Sequence, residues 1–203
     1  MKGLAALAAA ALLLAGCSSW QPQPSPTADT GVWQARAARL QTIERFELQG
    51  RAADGRGVKA DLRWQQHVDN RFDLRLSGPF GAGAVAIAGT PQAVEVRTRD
   101  GRFETRDPEG WLRQNLGWAF PVTHLRYWAL GLPAPDASAQ ISLDAQGRLA
   151  VLSQDGWTLQ YSEYTVHNGF DLPRRFEAQQ GEVRLRLIVD RWAEVATAPA
   201  NPR

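Results

Sequence analysis

The first side chain able to do chemistry is Cys17. It follows Met1-Lys2 and the run "GLAALAAAALLLAG", apolar and built of small residues. That run is too short to span a bilayer, which takes about 20 residues. It has the form of a secretory signal h-region and ends in "LAGC". Small residues before a Cys are what a bacterial lipoprotein signal peptidase accepts. Cys17 is the only cysteine in 203 residues, so no internal disulfide is possible. Lipidation is the chemistry expected of it; the alternative is a plain signal peptide with a chance Cys. Residues 1–16 are therefore expected to be a lipoprotein signal peptide. Residues 17–31, the Cys and the Pro-, Ser- and Thr-rich "SSWQPQPSPTADTG", are expected to be an anchored flexible tether.

Little else along the chain suggests catalysis. His67, His124 and His167 sit in separate segments without metal-ligand spacing. No H-E-x-x-H, G-x-S-x-G or phosphate-binding Gly-rich loop is present. The carboxylates fall mostly on strand faces or in turns. Neither an enzyme, a metal nor a cofactor is expected. The formal net charge is only +2, and the basic residues, nearly all Arg, lie scattered among acids. No basic-aromatic cluster marks a nucleic-acid surface.

Apolar chemistry is better represented. In "LRLSGPFGAG", Leu74 and Leu76 alternate with polar residues, and the turn that follows holds Pro79 and Phe80 between Gly78 and Gly81. A large aromatic at a turn either tucks under the sheet or stands in solvent awaiting something apolar. Seven tryptophans, from Trp33 to Trp192, fall within the expected domain. They read as a well-filled core or as the lining of an apolar cavity.

The elements that position these side chains follow from periodicity. Residues 32–45 place Trp33, Ala37, Leu40 and Ile43 at helical spacing. The period then becomes two: Phe46 and Leu48; Val58, Ala60, Leu62 and Trp64; Phe72, Leu74 and Leu76; Val94 and Val96. Later runs are Trp157 to Tyr161 and Val183 to Val189. Asp54-Gly55, Asp69-Asn70, Asp100-Gly101, Gln146-Gly147, Asp155-Gly156 and Asn168-Gly169 punctuate them as turns. Two short helices interrupt the strands. One opens at Asp107-Pro108, with Asp107 as cap; the other opens at Thr123 and stops at Gly131 and Pro133. The fold class expected is mainly β: one antiparallel sheet, curled so that short helices cover its apolar face. The domain is expected over 32–192, with an irregular tail at 193–203. Leu62, Trp64, Leu74, Leu76, Val94 and Val96 should face one apolar space.

Several stretches in order resemble one family. "WQARAARLQTIERFELQGR" (Trp33–Arg51), "RFDLRLSGPFG" (Arg71–Gly81), "LRYWALGLP" (Leu125–Pro133), "WTLQYSEY" (Trp157–Tyr164) and "LPRRFEAQQGEVRLRLIVDRW" (Leu172–Trp192) are similar to the LolB family. The resemblance implies an open half-barrel of about eleven strands with helices as a lid over an apolar cavity. It implies acceptance of acylated lipoprotein cargo from a periplasmic carrier of the LolA type and insertion into the outer membrane, with outer-membrane lipid as a further partner. Phe72, Trp128 and Trp157 join the expected acyl-chain lining, and Pro79-Phe80 takes the place of the membrane-insertion loop. Resemblance to Gram-negative lipoproteins makes Asp after the lipidated Cys an inner-membrane retention signal, so Ser18 points to the outer membrane. A monomer is expected. A different class of reading is a structural or assembly lipoprotein that binds a protein partner through its sheet edge. A lipid-processing enzyme is a third.

Overall fold

The computed structural model describes residues 30–79, 83–116 and 121–197. Cys17 and Phe80 therefore lie outside the described residues. Helix α1 (Thr30–Gln41) leads into β1 (Ile43–Asp54), β2 (Lys59–Gln66), β3 (Phe72–Ser77), β4 (Val85–Thr90), β5 (Ala93–Thr98) and β6 (Gly101–Thr105). Helices α2 (Pro108–Leu116) and α3 (Leu125–Ala129) follow. Strands β7 (Ala139–Leu143), β8 (Leu149–Gln154), β9 (Trp157–His167), β10 (Phe170–Gln180) and β11 (Val183–Thr197) complete the chain of elements.

All eleven strands form one antiparallel sheet in the order β6-β5-β4-β3-β2-β1-β11-β10-β9-β8-β7. It is a meander in two halves, joined where the first strand pairs with the last. β6 and β7 are the free edges, so the sheet does not close into a barrel. One cluster of buried side chains runs from Val94 on β5 to Leu172 on β10, so the sheet wraps around its own apolar face. Two hairpins follow from local chemistry. Asp155-Gly156 joins β8 to β9 and Asn168-Gly169 joins β9 to β10, all four residues with positive φ. That is the type I′ geometry whose twist matches paired strands.

Three boundaries differ from the periodicity. The first helix ends at Gln41 instead of residue 45. Thr42 donates to the Arg39 carbonyl through both its backbone N–H and its hydroxyl, and Ile43 is taken into β1. Register shifts near the start of β1 put Ile43 and Phe46 on the same buried face, which mimics helical spacing. At the other end β11 runs on to Thr197, into the tail expected to be irregular, because its pairing with β1 extends to Ile43. Val58, read as an inward strand residue, is exposed in the β1–β2 turn; its N–H bonds the Asp54 carboxylate instead of a strand partner.

The outer face is polar and ordered by register. One cross-strand row reads Arg191, Gln49, Arg63, Arg75, Ala86, Arg97, Arg102 over seven consecutive strands. Glu95 bridges Arg97 and Arg102. Arg63 and Arg75 stand directly opposite one another.

Candidate functional site

The inward face of β2–β5 is built by alternation. Pairing sets Leu62 against Leu76, Trp64 against Leu74, Leu74 against Ile87 and Ile87 against Val96. Gly89 lies between Phe72 and Val94. Its φ of 142° and a 2.2 Å approach of the Ala93 carbonyl oxygen to any added Cβ leave room only for glycine. Leu62, Trp64, Phe72, Val94 and Val96 are buried; Leu74 and Leu76 are half-buried and pack on the same cluster. Seven of the nine side chains expected to line one apolar space thus pack in one cluster.

Trp128 and Trp157 do not. They belong to a second cluster with Leu149, Leu152, Leu159 and Phe176, under the β8–β10 half of the sheet. Alternation tells which face a strand residue takes, but not which half of the sheet lies beneath a helix residue such as Trp128. Trp33, Tyr127 and Leu187 pack against both clusters and join them. Ile43, Leu48, Leu172 and Trp192, outside the nine expected lining residues, complete the central part of the first cluster. Of the last three, Leu48 alone stands between polar neighbours, Glu47 and Gln49.

The roof is held by specific polar contacts. In α2, Asp107 caps the first turn by accepting from the Gly110 N–H at 2.8 Å, as its position before Pro108 suggested. Trp111 meets Phe103 of β6 at 5.9 Å between ring centroids. In α3 the residue at the cap position is His124, not Thr123, and it makes no side-chain cap bond. His124 instead places Nδ1 3.0 Å from Asp155 Oδ2, within ion-pair reach but off hydrogen-bond alignment. Arg126 donates to the Ile43 carbonyl at 2.7 Å and to the Asn70 side chain. Behind α3, Gln154 is a buried hub. Its Oε1 accepts from Trp128 Nε1 and the Ala134 N–H, and its Nε2 donates to the Ala134 and Ala137 carbonyls. Tyr161 and Tyr164 donate to the Trp128 and Leu149 carbonyls, and burial pushes both phenols up. Glu109 of α2 is also raised above its ordinary value, first by desolvation; the nearby His124 acts in the opposite sense.

Two hollows differ in kind. A cavity of about 100 Å³ lies between Trp64, Gln66 and Phe72 of the sheet and Val122, Leu125 and Tyr127 of the roof, with Asn70, Gln92, Arg126 and Asp136 on its polar side. A larger hollow of about 600 Å³ opens on the outer side of β4–β6, among Glu95, Arg97, Glu104 and Arg106. Ala88, Gly89, Ala93 and Val94 share its lining with these charged side chains. Pro79 is exposed at the last described position before the β3–β4 loop tip. No helix among the described residues is long and apolar enough to cross a membrane.

An open single-sheet half-barrel, greasy within, charged without and roofed by short helices, defines the class: a β-protein whose interior is fitted to apolar material. Comparison with known proteins agrees. A family model described as "Outer membrane lipoprotein LolB" matches residues 44–192. Curated relatives named outer-membrane lipoprotein LolB include one from Chromohalobacter salexigens, 40% identical over 89% of this chain and 85% of the relative. Another, from Stutzerimonas stutzeri, is 39% identical over 90% of this chain and 91% of the relative. Among solved structures, a LolA superfamily protein from Nitrosomonas europaea aligns with a TM-score of 0.50 at 11% identity, over 87% of this chain and 96% of its own. That likeness shows the fold alone. The chain belongs to the LolB family, and with it to the lipoproteins of the outer membrane.

Proposed function

We propose that this chain is an outer-membrane receptor that accepts acylated lipoproteins from a LolA-type periplasmic carrier and inserts them into the membrane. One observation carries the reading: the inward faces of β2–β5 form a continuous apolar wall, roofed by α3, whose Arg126 bonds the Ile43 carbonyl and Asn70. Each CH₂ removed from water is worth roughly 0.8 kcal/mol, so acyl chains do not cross an aqueous compartment unaided. A receiver that must later release them needs apolar walls without polar specificity along the chain. Handover then runs downhill by difference in affinity and requires no nucleotide. We assign the protein no enzymatic step.

The interior cavity of about 100 Å³ is well below the roughly 300–1,000 Å³ of a small-molecule pocket. Acceptance therefore means lifting α3 side chains away from the sheet. Leu62, Trp64, Phe72, Leu74, Leu76, Val94 and Val96 become the walls, with Trp128 and Trp157 in a second compartment reached past Tyr127. Cys17 carries the lipid anchor, and Phe80, next to exposed Pro79, enters the lipid surface during delivery. The protein acts as a monomer. The assembly reading through a sheet edge is not favoured by the family.

The test separates acceptance from delivery. Phe80→Glu should leave thermal stability within about 0.5 kcal/mol, as at most exposed sites. It should still take a lipoprotein from the carrier yet deliver it poorly to liposomes. Normal delivery by a stable Phe80→Glu protein removes the insertion role. Failure of the wild type to accept cargo removes the whole reading.

A further inference from the structure

Among the described residues three buried side-chain polar atoms lack a hydrogen-bond partner: Arg36 Nε, His124 Nδ1 and Trp64 Nε1. Arg36 and His124 each lie against a carboxylate, of Asp171 and Asp155; the Trp64 indole is the one non-titratable group of the three. The Trp128 indole donates to Gln154 and the Trp192 indole to the Pro173 carbonyl at 3.0 Å. The Trp64 indole is 3% exposed, and its Nε1, closed off from solvent, finds no protein acceptor. Its cross-strand neighbours are Leu48 and Leu74, and the Phe46 ring meets it edge-on with centroids 5.3 Å apart. None of these side chains carries a nitrogen or oxygen acceptor. A buried donor left unpaired is costly, and phenylalanine would fill this wall without the cost. Trp64 also bounds the cavity beneath the roof.

An acyl chain is a hydrocarbon ending in a carbonyl. When it enters an apolar interior its tail gains, but its carbonyl loses water and needs a donor. We propose that Trp64 Nε1 is that donor, and that Trp64 is the specificity residue by which the interior prefers acyl chains over plain alkyl chains. This rests on the acyl-receiving reading above. It adds that the chain head, not the tail, sits against β2 beneath α3. The unpaired indole of the unloaded protein also favours loading, because its hydrogen bond forms only with cargo bound.

The experiment uses the mature chain kept soluble by Cys17→Ala, and two glyceryl lipopeptides of equal chain length. One carries its chains as esters, the other as ethers that lack the carbonyl. Wild-type protein should bind the ester probe about three- to tenfold more tightly, the worth of one neutral hydrogen bond. Trp64→Phe should erase that preference while keeping ether affinity within about twofold and without loss of stability in urea. Should the variant fold poorly, the wild type alone decides. The Trp64 indole N–H resonance should shift downfield with the ester probe and not with the ether. An unchanged ester-to-ether ratio in a folded Trp64→Phe protein, or equal resonance shifts with both probes, overturns the assignment. Binding of neither probe to the wild type overturns the acyl-receiving reading itself.

Discussion

Glu109 is a half-buried acid of the roof. It lies on α2, near His124 before α3 and Asp155 in the β8–β9 turn, and desolvation raises its carboxyl above the ordinary 4.5. For an acid with a raised folded pKa, the folded state holds the proton when the unfolded state has lost it. The contribution to stability is present below 4.5 and is lost as pH rises through the elevated value. Wild-type protein should therefore lose stability with rising pH across the weakly acidic range relative to Glu109→Gln. At neutral pH the Gln variant should be the more stable, and below pH 4.5 the difference should close. Urea midpoints at a series of pH values check this; a Gln variant less stable at neutral pH contradicts it. Residue-scale function was only partly legible in the sequence. The inward side chains of β2, β3 and β5 declared themselves by alternation. The missing acceptor for Trp64 and the approach of His124 to Asp155 depend on residues far apart in the chain, and no spacing reveals them.

At the scale of elements, what could be read was what short-range chemistry decides. The Asp107 cap and the Asp155-Gly156 and Asn168-Gly169 turns are complete within a few residues. What escaped was decided across the sheet. Ile43 belongs to a strand because β11 reaches it, pairing Thr197 opposite. The edge strands β6 and β7 have one neighbour each, and four of the five residues in each are exposed, so no clean alternation marks them. The outer arginine row is likewise a product of register. Like charges directly opposite on neighbouring strands repel, so Arg75→Glu should turn the contact with Arg63 from repulsive to attractive. The expected gain is about 0.2–1 kcal/mol, smaller in molar salt because exposed charges are screened. Thermal melts at low and high salt measure it. A destabilised Arg75→Glu protein would mean that Arg75 serves a contact other than its cross-strand one.

For the whole molecule, the junction of β1 with β11 is the structural midline. Leu48 pairs with Trp64 on one side and Trp192 on the other, while β6 and β7 each pair once. Native-state hydrogen exchange should rank accordingly, with β1 and β11 amides opening only on global unfolding and β6 and β7 amides opening first. Equal protection at edges and midline would show that the two halves are not held by this seam. The seam also joins strands that leave the ribosome at opposite ends of synthesis. During export β1 emerges first and pairs with β2, but its other edge stays open until β11 follows. Through that interval the newborn chain is two half-sheets, each with a bare apolar face and an unclaimed strand edge, the state most prone to pairing with the wrong chain. A protein placed to shield the greasy parts of others must itself arrive unshielded, and its safe passage depends on how fast its last strand reaches its first.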